Sequence, residues 1–122
     1  MISNHPPHFA IIGAGTAGLA TAILLARQNI QVSILEKASE LEPVGAGLLL
    51  QPSGLAVFEH LGLLDEVLRL GAKVTGLKGQ LPSGNLLVNS HYQQAHPDFY
   101  GVGIHRATLC HVLENKCREY SE

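Results

Sequence analysis

His8-Phe9-Ala10-Ile11-Ile12-Gly13-Ala14-Gly15-Thr16-Ala17-Gly18-Leu19-Ala20-Thr21-Ala22-Ile23-Leu24-Leu25-Ala26-Arg27 is the stretch that decides the fold. It reads as a short buried strand, a tight glycine turn and an apolar helix. Working outward, Asn29 is placed to end that helix in a left-handed conformation. A second apolar run, Val32-Ser33-Ile34-Leu35, then closes on Glu36, eighteen residues after Gly18. Neither run alternates cleanly, as expected of parallel strands covered on both faces.

Strand, G-x-G-x-x-G, helix, strand and acid together form the sequence pattern of a βαβ unit that takes an adenine dinucleotide. Gly13 lets the chain turn out of the strand, Gly15 lets a pyrophosphate approach bare backbone, and Gly18 lets the helix pack close. The helix start, with Ala14, Thr16 and Ala17 between the glycines, then points free N–H groups and a positive dipole end at the phosphates. Glu36, at the carboxyl end of the second strand, can accept hydrogen bonds from ribose hydroxyls. Its charge disfavours a 2′-phosphate, which Lys37 beside it softens slightly. The bland alternative is an ordinary glycine turn in some other α/β fold.

Composition narrows the classes. The chain has 122 residues, enough for one small domain, and is 46% hydrophobic and 15% charged, so it is globular. Net charge is −2 without a basic cluster, which leaves nucleic-acid binding without electrostatic support. No apolar run reaches the roughly 18 residues that a transmembrane helix needs. Cys110 and Cys117 lie seven apart on a predicted helix, about 10 Å along its axis, too far for a disulfide. Two reduced thiols in a cytoplasmic protein are expected. None of the seven histidines sits at a metal-ligand spacing, so no metal site is expected.

Further along, residues 37–52 read as a glycine-containing loop, and Ser53 as the N-cap of a helix over 54–61. A short helix over 63–70 stops at Gly71. Residues 74–81 and 86–88 flank Pro82-Ser83-Gly84-Asn85 and predict a β-hairpin. Residues 89–98 read as irregular, 100–104 as a strand, and 107–120 as a terminal helix with Leu109, Val112, Leu113 and Cys117 on one stripe.

Three segments together carry a resemblance: the glycine fingerprint with Glu36, then Gly45-Ala46-Gly47-Leu48-Leu49-Leu50-Gln51-Pro52, then Gly103-Ile104-His105-Arg106-Ala107-Thr108-Leu109. In this order they resemble the N-terminal part of the single-component FAD-dependent monooxygenases, the para-hydroxybenzoate and salicylate hydroxylase-like family. The resemblance runs from Ala10 to about Leu113. It implies a Rossmann-like βαβ FAD-binding half-domain of α/β class with an inserted β-hairpin and an incomplete parallel sheet.

By this resemblance Gly13, Gly15 and Gly18 form the pyrophosphate loop, and Glu36 with Lys37 stands at the FAD ribose. Gly45 and Gly47 line the path toward the flavin, and Arg106 lies near the phosphate and ribitol. A guanidinium suits that place through paired, charge-assisted bonds, and an arginine at a helix N-terminus is unfavourable unless an anion is near. His105 is expected to be structural, and no residue here reads as a catalytic base or nucleophile.

The resemblance further implies hydroxylation of a small aromatic or apolar substrate with NAD(P)H and oxygen, the protein supplying binding and exclusion of water. Family members are several times longer. Their later Asp-Gly and Gly-Asp motifs have no counterpart here, since neither dipeptide occurs in the chain. Residues 1–122 are therefore expected to be a partial FAD-binding domain without its substrate domain. Such a piece should be marginally stable alone, inactive, and retain FAD weakly or not at all. Two other readings remain: the nucleotide-binding domain of an NAD-dependent dehydrogenase, and a non-catalytic truncated remnant.

Overall fold

A computed structural model describes residues 5–39 and 46–121. The chain divides into two compact units, Met1–Gly45 with Arg106–Glu122, and Ala46–His105.

The first unit holds β1 (His8–Ile12), α1 (Thr16–Ala26), β2 (Gln31–Leu35) and the final helix, α4 (Arg106–Arg118). β1 and β2 pair in parallel with Ile12 opposite Leu35, so α1 is the crossover of a βαβ unit. α1 is apolar almost all round, because it packs on the strands and on α4. Leu19, Ala22 and Ile23 from α1 are buried, as are Leu109, Val112 and Leu113 of α4. Asn29, at φ 58°, carries the chain from α1 toward β2 in the left-handed conformation that its position predicts.

The strands are less covered than their apolar sequences suggest. Ile12 is 79% exposed, and Phe9 and Leu35 are exposed as well. α1 covers the pair, but nothing among the described residues of this unit covers those side chains. The incomplete parallel sheet is therefore visible as uncovered apolar surface.

The second unit contains β3 (Gly47–Leu50), α2 (Pro52–His60), α3 (Leu64–Leu70), β4 (Ala72–Val74), β5 (Gly76–Gln80), β6 (Leu86–His91), a 3-10 turn over Tyr92–Gln94, and β7 (Gly101–His105). β7 is the centre of a three-stranded antiparallel sheet in the order β3-β7-β4. Val102 and Ile104 point from it into a core with Leu55, Phe58, Leu61 and Val67. β5 and β6 form the expected hairpin, with every residue of β6 exposed.

Several boundaries differ from the sequence expectations. The 37–52 loop contains a strand, β3, whose partners on β7 are more than fifty residues away. The run expected as one strand over 74–81 is two, because β4 pairs with β7 while β5 pairs with β6. Ser53 is not the cap of α2. Gln51 occupies that position and Pro52 is the first helical residue, where its missing N–H costs nothing. The segment over 89–98 is more regular than expected: β6 runs to His91, and the Tyr92 hydroxyl donates to Gln51 Oε1 at 2.7 Å.

Leu61, between α2 and α3, is fully buried in the core of the second unit. Leu61→Ala is expected to destabilise that unit by about 3 kcal/mol through lost burial and the cavity left behind. A urea titration followed by circular dichroism measures it.

Candidate functional site

The glycine turn sits where the fingerprint requires, at the junction of β1 and α1. Gly13 takes φ +103°, which a side chain would resist. Its N–H donates to Leu35 O at 2.7 Å and extends the parallel ladder one residue past the end of β1. A Cβ on Gly18 would stand 2.2 Å from Gly13 O, so α1 can start here only because that residue is glycine. A Cβ on Gly15 would meet nothing within 4 Å. The backbone at Gly15 thus faces open space, as an approaching diphosphate needs.

The start of α1 offers donors. Gly15 is the N-cap with extended backbone and no side-chain cap, and no acidic residue lies in the first turn. The helical ladder begins with Leu19 N–H on Gly15 O at 2.9 Å. The N–H groups of Thr16, Ala17 and Gly18 precede that bond and lie at the positive end of the helix dipole. This donor set suits an anion.

Glu36 follows β2 directly and turns back on the glycine turn. Its Oε2 accepts from Ala14 N–H at 2.8 Å, and its Oε1 accepts from Ala38 N–H at 3.0 Å. These two amides, Ala14 first, hold the carboxyl below its usual value, with the Lys37 charge a smaller cause. The resulting stabilisation is complete above the usual carboxylate range and is lost as pH falls through the lowered value. Lys37 itself is exposed.

An open cleft of about 1310 Å³ lies within this unit. Ala14, Val32, Ile34, Glu36, Ala38 and Ser39 are among the residues that line it. Glu114 and Cys117 of α4 also border it. Burial raises the thiols of both Cys117 and Cys110, which remain unbridged.

The structure thus brings Gly13, Ala14, Gly15, Thr16, Ala17, Gly18 and Glu36 to one junction. Arg106 is the first residue of α4, exposed and without an ion pair among the described residues. Gly47 is in the second unit, where it stands opposite His105 in the antiparallel pairing of β3 with β7. Gly45 lies outside the described residues. Sequence reasoning missed Ala38, whose backbone N–H rather than its side chain engages Glu36. A backbone donor leaves no mark on residue type.

A parallel βαβ unit with this turn and this acid defines a dinucleotide-binding α/β protein. Residues 8–116 match the family model described as FAD binding domain, and the chain belongs to that family. It is 38% identical over 104 residues to 3-hydroxybenzoate 6-hydroxylase of Klebsiella oxytoca, covering 81% of this chain and 26% of that protein. With 3-amino-4-hydroxybenzoate 2-monooxygenase of Streptomyces cremeus the identity is 33% over 108 residues, covering 85% and 27%. Among solved structures, the tetrameric form of 2-methyl-3-hydroxypyridine-5-carboxylic acid oxygenase superposes with a TM-score of 0.83 at 28% identity. That match covers 97% of this chain and 30% of the other. The chain therefore spans about a quarter of the length of these curated relatives. No helix among the described residues is long and apolar enough to cross a membrane.

Proposed function

We propose that this chain supplies the adenosine-diphosphate end of the FAD site in a flavin-dependent monooxygenase that hydroxylates a small aromatic substrate with NAD(P)H and oxygen. The observation that carries the reading is the junction itself: open backbone at Gly15, the first-turn N–H groups of α1 without a side-chain cap on Gly15, and the Glu36 carboxylate held against the same turn. Family membership selects FAD over NAD as the dinucleotide, against the dehydrogenase alternative. The relatives named above are hydroxylases and oxygenases of substituted benzoates and of a pyridinecarboxylate, which points to an aromatic substrate.

Each residue has a role in this reading. Gly13, Gly15 and Gly18 shape the turn, and the N–H groups of Thr16, Ala17 and Gly18 receive the diphosphate. Glu36 accepts from the ribose hydroxyls, with Ala14 behind it and Lys37 beside it. Gly45 and Gly47 border the route to the flavin, and the guanidinium of Arg106 serves a phosphate. Bound FAD would supply the redox chemistry. These residues bind and orient it, and none supplies a catalytic proton. The rest of the enzyme, with its substrate-binding part, is proposed to lie outside residues 1–122. The two unbridged thiols suit a reducing compartment, the cytoplasm.

Titration with FAD, ADP and NAD, followed by calorimetry, tests the reading. FAD and ADP are expected to bind, with FAD tighter than NAD. Glu36→Ala is expected to weaken both by about 10- to 100-fold, the usual loss of a hydrogen-bonding charged partner. A chain that folds but binds neither FAD nor ADP would overturn the assignment.

A further inference from the structure

Ala14 and Glu36 are 22 positions apart, on opposite sides of the βαβ crossover. The ladder between β1 and β2 ends with Gly13 N–H on Leu35 O. One residue later no β2 carbonyl receives Ala14 N–H. The Glu36 side chain does so instead, while its other oxygen takes Ala38 N–H in the loop leaving β2. We propose that Glu36 is a positioning residue for its own site: its carboxylate ties the glycine turn to the loop after β2 and sets both before any nucleotide arrives.

Three observations support this role. Ala14 is buried, so its N–H has little recourse to water and needs an acceptor. The two acceptor oxygens are engaged separately, each at an ordinary hydrogen-bond distance. Among the described residues, the one charged group acting on Glu36 is Lys37, its chain neighbour, so backbone amides rather than a salt bridge fix the carboxylate. Ala14 N–H is consequently committed to Glu36. A diphosphate is left with the amides of the first turn of α1, and a ribose with the outward lone pairs of Glu36.

The role is specific to a carboxylate. Glutamine of the same length offers one acceptor oxygen and turns an NH₂ group toward the other amide, donor against donor. Glu36→Gln therefore keeps the shape and breaks the tie.

The test uses the full chain without ligand, and the name of the site rests on the dinucleotide reading while the tie does not. In ¹⁵N amide spectra recorded against pH, the Ala14 and Ala38 resonances should titrate together, with one midpoint below the usual glutamate value. In Glu36→Gln at neutral pH, hydrogen exchange at both amides should accelerate by about tenfold or more. Absence of a common titration in the natural sequence, or unchanged exchange in the variant, overturns the tie. ADP separates the two readings. If Glu36→Gln weakens ADP binding but leaves both amides unaltered, Glu36 is a ribose ligand alone and the tie is wrong. If the amides titrate together but ADP does not bind, the tie stands and the dinucleotide reading fails.

Discussion

Gly18→Ala is expected to remove nucleotide binding and to destabilise the first unit, because the added Cβ would sit 2.2 Å from Gly13 O. The obstruction is backbone, so no side chain can rotate out of its way. Either α1 backs off from the turn or the turn itself opens. Overpacking of this kind costs about 1–3 kcal/mol, and more where backbone must move. Whatever conformation results, the N–H groups of the first turn no longer converge on one point. Paired measurements check it: thermal unfolding by circular dichroism, and ADP affinity by calorimetry. A Gly18→Ala chain with unchanged stability and ADP affinity would show that α1 does not start against Gly13 O. Gly15→Ala makes the informative contrast. Its Cβ meets nothing in the free protein, so stability should hold while binding falls.

Leu113→Asp should be the most damaging substitution outside the turn. Leu113 is fully buried on α4, in the stripe with Leu109 and Val112, within the same unit as Leu19 and Ile23 of α1. A carboxylate there must stay protonated or expel the helix, and either outcome costs several kcal/mol. Leu113→Ala, which leaves only a cavity, should cost about 3 kcal/mol and serves as the milder member of the pair. Globular domains hold only about 5–15 kcal/mol in total, so the aspartate variant is expected to unfold the first unit at room temperature. Loss of far-ultraviolet helical signal, restored in part at acid pH where the carboxyl is neutral, distinguishes buried charge from lost packing. The exposed Ile12, Phe9 and Leu35 make this unit sensitive to any further loss.

Much of the geometry of the glycine turn was legible because its constraints are local. Gly13 must reach a positive φ, Gly18 must admit its neighbour's carbonyl, and Asn29 must turn left-handed. Each demand falls on one residue and selects that residue's type. The amphipathic stripe of α4 was legible for a similar reason, since a helix repeats its burial every few positions. β3 was not legible. Gly47-Leu48-Leu49-Leu50 is four residues long, and what makes it a strand is β7, more than fifty residues later. The division of 72–80 between β4 and β5 has the same origin, because two different partners claim adjacent residues.

By itself the amino-acid sequence determined the βαβ opening, the glycine turn and the acid placed to meet it, since backbone conformation and side-chain type dictate these within a few residues. Only the tertiary structure decided that Gly47 would stand opposite His105 and that the sheet around β7 would run antiparallel. It alone decided that Glu36 would spend both oxygens on the amides of Ala14 and Ala38. Those outcomes depend on pairing distant segments and on backbone donors, which every residue but proline carries alike and which therefore leave no trace in the order of side chains.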